Sequence, residues 1–222
     1  MKAILFSILF FVITILMPAN KKKSIIFFGD SITEQAVKPG GFIVKLDSII
    51  LAGGMTEKFE LTGSGLSGNK VYDLFLRLQD DVLSKKPDIV IVYVGVNDIL
   101  HKRTAGTGTD ADKFERFYNG ILKKLVENNI LAILCTPAVI GEKTDFSNEQ
   151  DGDLNRYSTI IRSLALKNNL PLVDLRKAFL EYNLVNNTAN KESGILTTDR
   201  VHLNAKGNQL VAEEIWKTIR NF

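Results

Sequence analysis

Cysteine is almost missing from this chain. One residue, Cys135, occurs in 222, so no intrachain disulfide can form. It sits in the apolar run ILAILC, where a buried, inert thiol is expected. Histidine is nearly as scarce, at His101 and His202 alone, and no Cys/His cluster has metal-ligand spacing. The chemistry legible in the chain therefore calls for no metal and no organic cofactor. An excess of one charge is lacking too. The net charge is +3, and Lys21, Lys22 and Lys23 account for as much by themselves. A near-neutral remainder without a nucleic-acid motif argues against DNA or RNA as a partner. Internal repeats and an interdomain linker are also absent. With 45% hydrophobic residues, the chain supports one sizeable core in one domain, residues 24–222.

Long hydrophobic runs are confined to the beginning. Lys2 precedes fifteen uncharged residues, 3–17 (AILFSILFFVITILM), followed by Pro18, Ala19 and the lysine triplet. A positive start, a short apolar stretch and a small residue at its end fit a secretory signal peptide over residues 1–20, with export to the periplasm or the exterior. The stretch falls short of the roughly 20 apolar residues a membrane span needs. The rival is an uncleaved anchor formed by residues 3–17, which would be the only contact with a membrane. A core helix is a poorer reading, because the segment is apolar on all sides and the domain from Ser24 needs no further element.

What remains alternates short apolar runs with amphipathic ones. Strands are expected at SIIFF (24–28), KFEL (58–61), DIVIVYV (88–94), ILAILC (130–135) and LPLVDL (170–175). Several are apolar almost without interruption, as strands buried on both faces are. Helices are expected at 41–52, with Phe42, Leu46, Ile49 and Ile50 on one face, and at 70–84, with Val71, Leu74, Leu78 and Val82. Others are expected at 110–128, opening at an Asp110 cap, at 153–168 and at 204–220. The β-α-β-α alternation implies an α/β fold: a doubly wound parallel sheet with right-handed crossovers and helices on both faces.

Ligands of such sheets bind beyond the carboxyl ends of the strands. The segments found there are GDSIT after the first strand, TGSGLSGN (62–69) after the second, GVNDI (95–99) after the third, a long polar loop (136–153) after the fourth, and TTDRVHLNAKG (197–207) further on. A serine nucleophile needs a base in reach, and the base needs an orienting acid. His202 has Asp199 three residues before it, and Ser31 follows a strand that delivers it to the rim. Gly65 and Asn97 offer a backbone and a side-chain N–H to a developing oxyanion. Each residue also has a plainer reading: Ser31 as a helix cap, the glycines as turns, Asn-Asp as another cap, His101 as a rim residue between apolar and cationic neighbours. Their common placement on one rim, in this order, favours the chemical reading.

The set GDSIT, G-x-x-G, GVND and D-x-x-H resembles the SGNH hydrolase superfamily, the GDSL-type esterases and lipases, over residues 24 to about 220. The resemblance implies a flavodoxin-like three-layer α/β/α sandwich with five parallel strands in the order 2-1-3-4-5. It implies Ser31 as nucleophile, His202 as base, Asp199 as its partner, and an oxyanion hole made by Ser31, Gly65 and Asn97. Asp30 resembles a structural acid that braces the turn. Gly63 departs from the family, many of whose members have asparagine there. The variable loops 34–41, 101–112, 140–153 and 183–198 are polar, which fits short acyl or acetyl esters, including those on carbohydrate, better than long-chain lipids. Lysophospholipid or thioester hydrolysis, acyl transfer by the same residues, and a non-catalytic binding module are the alternatives.

Overall fold

The apolar runs form one sheet, and every strand in it is parallel to its neighbours. The computed structural model describes residues 21–222, and the expected signal segment or anchor, residues 1–20, lies outside the described residues. The strands are β1 (Lys23–Gly29), β2 (Phe59–Gly65), β3 (Ile89–Tyr93), β4 (Leu131–Cys135) and β5 (Leu172–Val173), in the order β2-β1-β3-β4-β5. This is the expected order. Central β1 buries Ile25, Ile26, Phe27 and Phe28 to 2% exposure or less, because helices cover both faces and neither parity of side chain reaches water.

Eight helices surround the sheet among the described residues. They are α1 (Ser31–Gln35), α2 (Phe42–Ala52), α3 (Val71–Asp81), α4 (Val96–Thr104), α5 (Ala111–Glu127), α6 (Asp151–Lys167), α7 (Leu175–Asn186) and α8 (Ala205–Ile219). On one side α8 packs against α2 and α7, and on the other α5 packs against α3 and α6. In the second layer Phe114 packs at a tilt against Tyr118 and Tyr157, with ring centroids 5.6 and 4.9 Å away. Truncating such a buried ring to alanine costs about 3–5 kcal/mol. Cys135 is fully buried, and burial pushes its thiol well above the usual range. No helix among the described residues is long and apolar enough to cross a membrane.

Several boundaries differ from expectation. β2 runs past KFEL as far as Gly65. LPLVDL contributes only two strand residues, because the Asp174 carboxylate accepts the Lys177 N–H and starts α7 there. Helix α4 was not expected: it buries Asn97 and Asp98 beside Val96 and Ile99, so apolar periodicity does not mark it. Asp110 does stand at the start of α5, but its carboxylate pairs with Lys102 at 3.2 Å and makes no side-chain cap.

Register decides where the loops emerge. Gly29 lies opposite both Gly65 and Tyr93, Tyr93 opposite Cys135, and Cys135 opposite Val173. The strands end level, so the loops that follow leave from one rim. The chain turns to β2 on one side of β1 and then to β3 on the other, and Ser31 follows the carboxyl end of β1 at that switch.

Candidate active site

Ser31 is placed by its two predecessors. A Cβ on Gly29 would lie 2.4 Å from the Tyr93 carbonyl oxygen and 2.3 Å from Thr33 Oγ1, so only glycine lets the chain turn that closely. The cap of α1 is Asp30, whose Oδ1 accepts the Ile32 N–H at 3.0 Å. Ser31 is the first helical residue, and its hydroxyl is not spent on capping. It lies 3.0 Å from Nε2 of His202. The other ring nitrogen of His202, Nδ1, lies 2.7 Å from Asp199 Oδ2. The second oxygen of Asp199 accepts the His202 and Val201 backbone N–H groups at 2.8 and 3.1 Å. Burial raises the Asp199 carboxyl, but the hydrogen bonds from His202 and Val201 outweigh it and hold the group below the usual carboxylate range.

The carboxyl of Asp30 is 2% exposed, and burial pushes its pKa up to about 7, against the pull of the Ile32 N–H. Asp98, fully buried beneath the third loop, is pushed up by burial to about 6 while both its oxygens lie 3.2 Å from the Val71 N–H. Asp30 and Asp98 are thus largely desolvated acids, whereas Ser31 itself meets an imidazole backed by an ionised carboxylate.

Asn97 lies on the first turn of α4, reached through Gly95 at φ +133°. It is 7% exposed, and its Nδ2 donates to the Asn69 carbonyl at 3.1 Å. One amide hydrogen is thereby fixed, which orients the other.

Gly65 is not a loop residue. It ends β2, and a Cβ there would come within 2.0 Å of the Glu34 nitrogen and 2.7 Å of the Asp30 carbonyl oxygen. Its bareness lets β2 press against α1. The glycine that lines the cleft with Ser31 and Asn97 is Gly68, at φ +78°, with open space where a side chain would be. Two contacts hold its loop. Glu34 Oε2 accepts the Ser67 N–H and hydroxyl at 2.7 and 2.5 Å. Arg77 reaches Asn69 Oδ1 and the Gly29 carbonyl, each at 2.7 Å, with its guanidinium 4.3 Å over the Phe28 ring. At Gly63, where asparagine is common in the family, a Cβ would meet Val37 at 2.4 Å.

The cleft encloses about 350 Å³. Leu100, Val201 and the His101 ring complete its wall. Burial and the nearby Lys70 ammonium lower the pKa of His101, which favours its neutral form. The sequence marked neither Glu34 nor Arg77: each is one charged residue on an amphipathic stretch until the fold brings loops to it. Gly68 lies in the same TGSGLSGN segment as Gly65, and only three-dimensional placement distinguishes the two. No group of acidic, histidine or cysteine side chains among the described residues is arranged to hold a metal ion.

Fold and relatives together define the class: this is an ester hydrolase on a flavodoxin-like parallel sheet. More narrowly, the chain belongs to the GDSL-like Lipase/Acylhydrolase family, whose sequence profile matches residues 27–210. A crystal structure of an acetyl xylan esterase, AlAXEase, is 59% identical and superposes with a TM-score of 0.86, covering 87% of this chain and 98% of its own. An acetylxylan esterase of Geobacillus stearothermophilus is 28% identical over 221 residues, 91% of this chain and 96% of that one. An uncharacterized lipoprotein of Bacillus subtilis, YqeF, is 25% identical over 174 residues, 70% of this chain and 72% of its own.

Proposed function

We propose that this chain is a serine esterase that removes acetyl groups from carbohydrate. The observation that carries the reading is the unbroken contact from Ser31 Oγ through both nitrogens of His202 to Asp199, at 3.0 and 2.7 Å, on the wall of a small open cleft. The 59% identity to an acetyl xylan esterase supports acetyl esters of a glycan as the substrate class.

In this reading, Nε2 of His202 takes the Ser31 proton as Oγ bonds to the ester carbonyl carbon. The carbonyl π electrons move to its oxygen. Asp199 accepts from Nδ1–H, which fixes the tautomer and stabilises the imidazolium. The Ser31 N–H, the free Asn97 amide hydrogen and the Gly68 N–H receive the oxyanion, each donor lowering the barrier by about 2–4 kcal/mol. Gly68 replaces Gly65 in this role because it lines the cleft while Gly65 is packed under α1. The imidazolium then protonates the departing sugar oxygen as the C–O bond breaks. Water, deprotonated by His202, repeats the sequence on the acyl-enzyme and releases acetate.

Residues 1–20 are read as an export signal, supported by their charge and apolar pattern and by a lipoprotein among the relatives. The test of function is a hydrolysis panel of p-nitrophenyl esters of rising chain length together with acetylated xylo-oligosaccharides. Rates should be highest for acetyl and fall with acyl length. Best turnover of long acyl chains, or none on any acetyl ester, rejects the reading.

A further inference from the structure

Glu142 is 1% exposed and lies in the long loop after β4. Its carboxylate faces three successive backbone N–H groups. Oε1 accepts from Leu196 at 2.6 Å and Thr197 at 2.9 Å, and Oε2 accepts from Ile195 at 2.9 Å. Those residues form the stem of the segment that carries Asp199 and His202. The stem is closed by an antiparallel bridge between Thr197 and Leu203, by Thr198 N–H on the His202 carbonyl at 2.8 Å, and by Asn204 N–H on the Leu196 carbonyl at 2.9 Å. The neighbouring Gly141, at φ +93°, donates its N–H to the Arg200 carbonyl at 2.9 Å, within the tip between Asp199 and His202. Two consecutive residues thus hold both the stem and the tip of this loop. Glu142 is itself tied at both ends: its N–H donates to the Glu192 carbonyl at 3.0 Å, and its carbonyl accepts from buried Asn187 at 2.7 Å.

Such a carboxylate loses its hydration on burial, and three N–H donors replace it. The set is selective for an acid. An amide of the same shape would turn an NH₂ toward at least one of those donors, leaving a buried N–H without an acceptor. Asp199 and His202 are partly exposed, with side chains 55% and 30% accessible, so packing alone does not fix them. Their position relative to Ser31 has to come from the backbone of their loop.

We infer that Glu142 is a positioning residue for the reacting set: its carboxylate holds the 195–197 backbone so that His202 meets Ser31. This rests on the reading of Ser31, His202 and Asp199 as that set. The test uses the full chain with Glu142→Gln. Three things are measured: the rate at which a fluorophosphonate probe labels Ser31, kcat and KM for p-nitrophenyl acetate, and the downfield proton NMR signal of His202 Nδ1–H. Labelling rate and kcat are expected to fall together by ~10–100-fold, with KM within twofold and the downfield signal lost, while far-UV circular dichroism is retained. A folded variant that labels within twofold of the wild-type rate overturns the inference. Amide exchange in the wild-type chain decides the matter if the variant does not fold. Protection at residues 195–197 as strong as in β1 and β3 supports the clamp, and solvent-limited exchange there overturns it. A wild-type chain that the probe does not label strikes at the reacting set itself, and so is told apart from failure of the clamp alone.

Discussion

Nε2 of His202 lies 3.0 Å from Oγ of Ser31, although 171 positions separate the two residues. One stands at the end of the first strand and the other just before the last helix. Their contact gives the proposed chemistry its most direct test. Ser31→Ala removes one oxygen at the start of α1 and leaves the Asp30 cap in place. Ester hydrolysis should fall by about four orders of magnitude or more, with a melting temperature within about 2 °C of the parent. Parent-like turnover of an acetyl ester by this variant eliminates Ser31 as the nucleophile.

Asn97→Ala should lower kcat by ~10²–10³-fold with KM nearly unchanged, because the oxyanion exists only along the reaction path. Steady-state kinetics on p-nitrophenyl acetate measure the split. An effect confined to KM makes Asn97 a group that binds the ground-state substrate.

Two glycines separate packing from catalysis. In Gly65→Ala the new methyl would lie 2.0 Å from the Glu34 nitrogen, so the backbone has to move and the variant should melt well below the parent. In Gly68→Ala nothing lies within 4 Å, and only the positive φ is strained, at about 1–2 kcal/mol. That variant should fold, yet lose kcat through its displaced N–H. Equal kinetics in parent and Gly68→Ala return the donor role to another group.

Asp30 and Asp98 give stability a pH dependence of known sign. Burial raises their folded pKa values to about 7 and about 6, above the roughly 3.9 of an unfolded aspartate. The folded state therefore binds more protons than the unfolded chain between these limits. These two groups make the protein less stable as pH rises from about 4 to about 7, with no further change above. Asp30→Asn keeps an oxygen for the Ile32 N–H and removes one titration. Its stability, measured by denaturant unfolding at pH 5 and pH 8, should differ less between the two than the parent's does. An unchanged difference places the proton elsewhere.

Much of the fold was legible because its signals are local. The unbroken apolar runs of β1 and β3 report burial on both faces, and Val71, Leu74 and Leu78 report one face of α3, with Val82 just past its end, all four fully buried. Helix α4 was not legible, since it buries Asn97 and Asp98 for the site and for a tie to Val71, which breaks the apolar period. Nor was Glu142, one acid among the charges of GEKTD.

By itself the amino-acid order determined the strand sequence, the direction of the sheet and the set of loops gathered at its rim, because side-chain periodicity and turn residues act over a few positions. Tertiary structure alone decided that Gly68, not Gly65, faces the cleft, that Asp30 caps α1 and frees Ser31, and that Glu142 takes up the N–H groups of a loop more than fifty residues away. Those outcomes depend on which backbone groups lie within about 3 Å once the strands are level, and no local pattern in the chain encodes that distance.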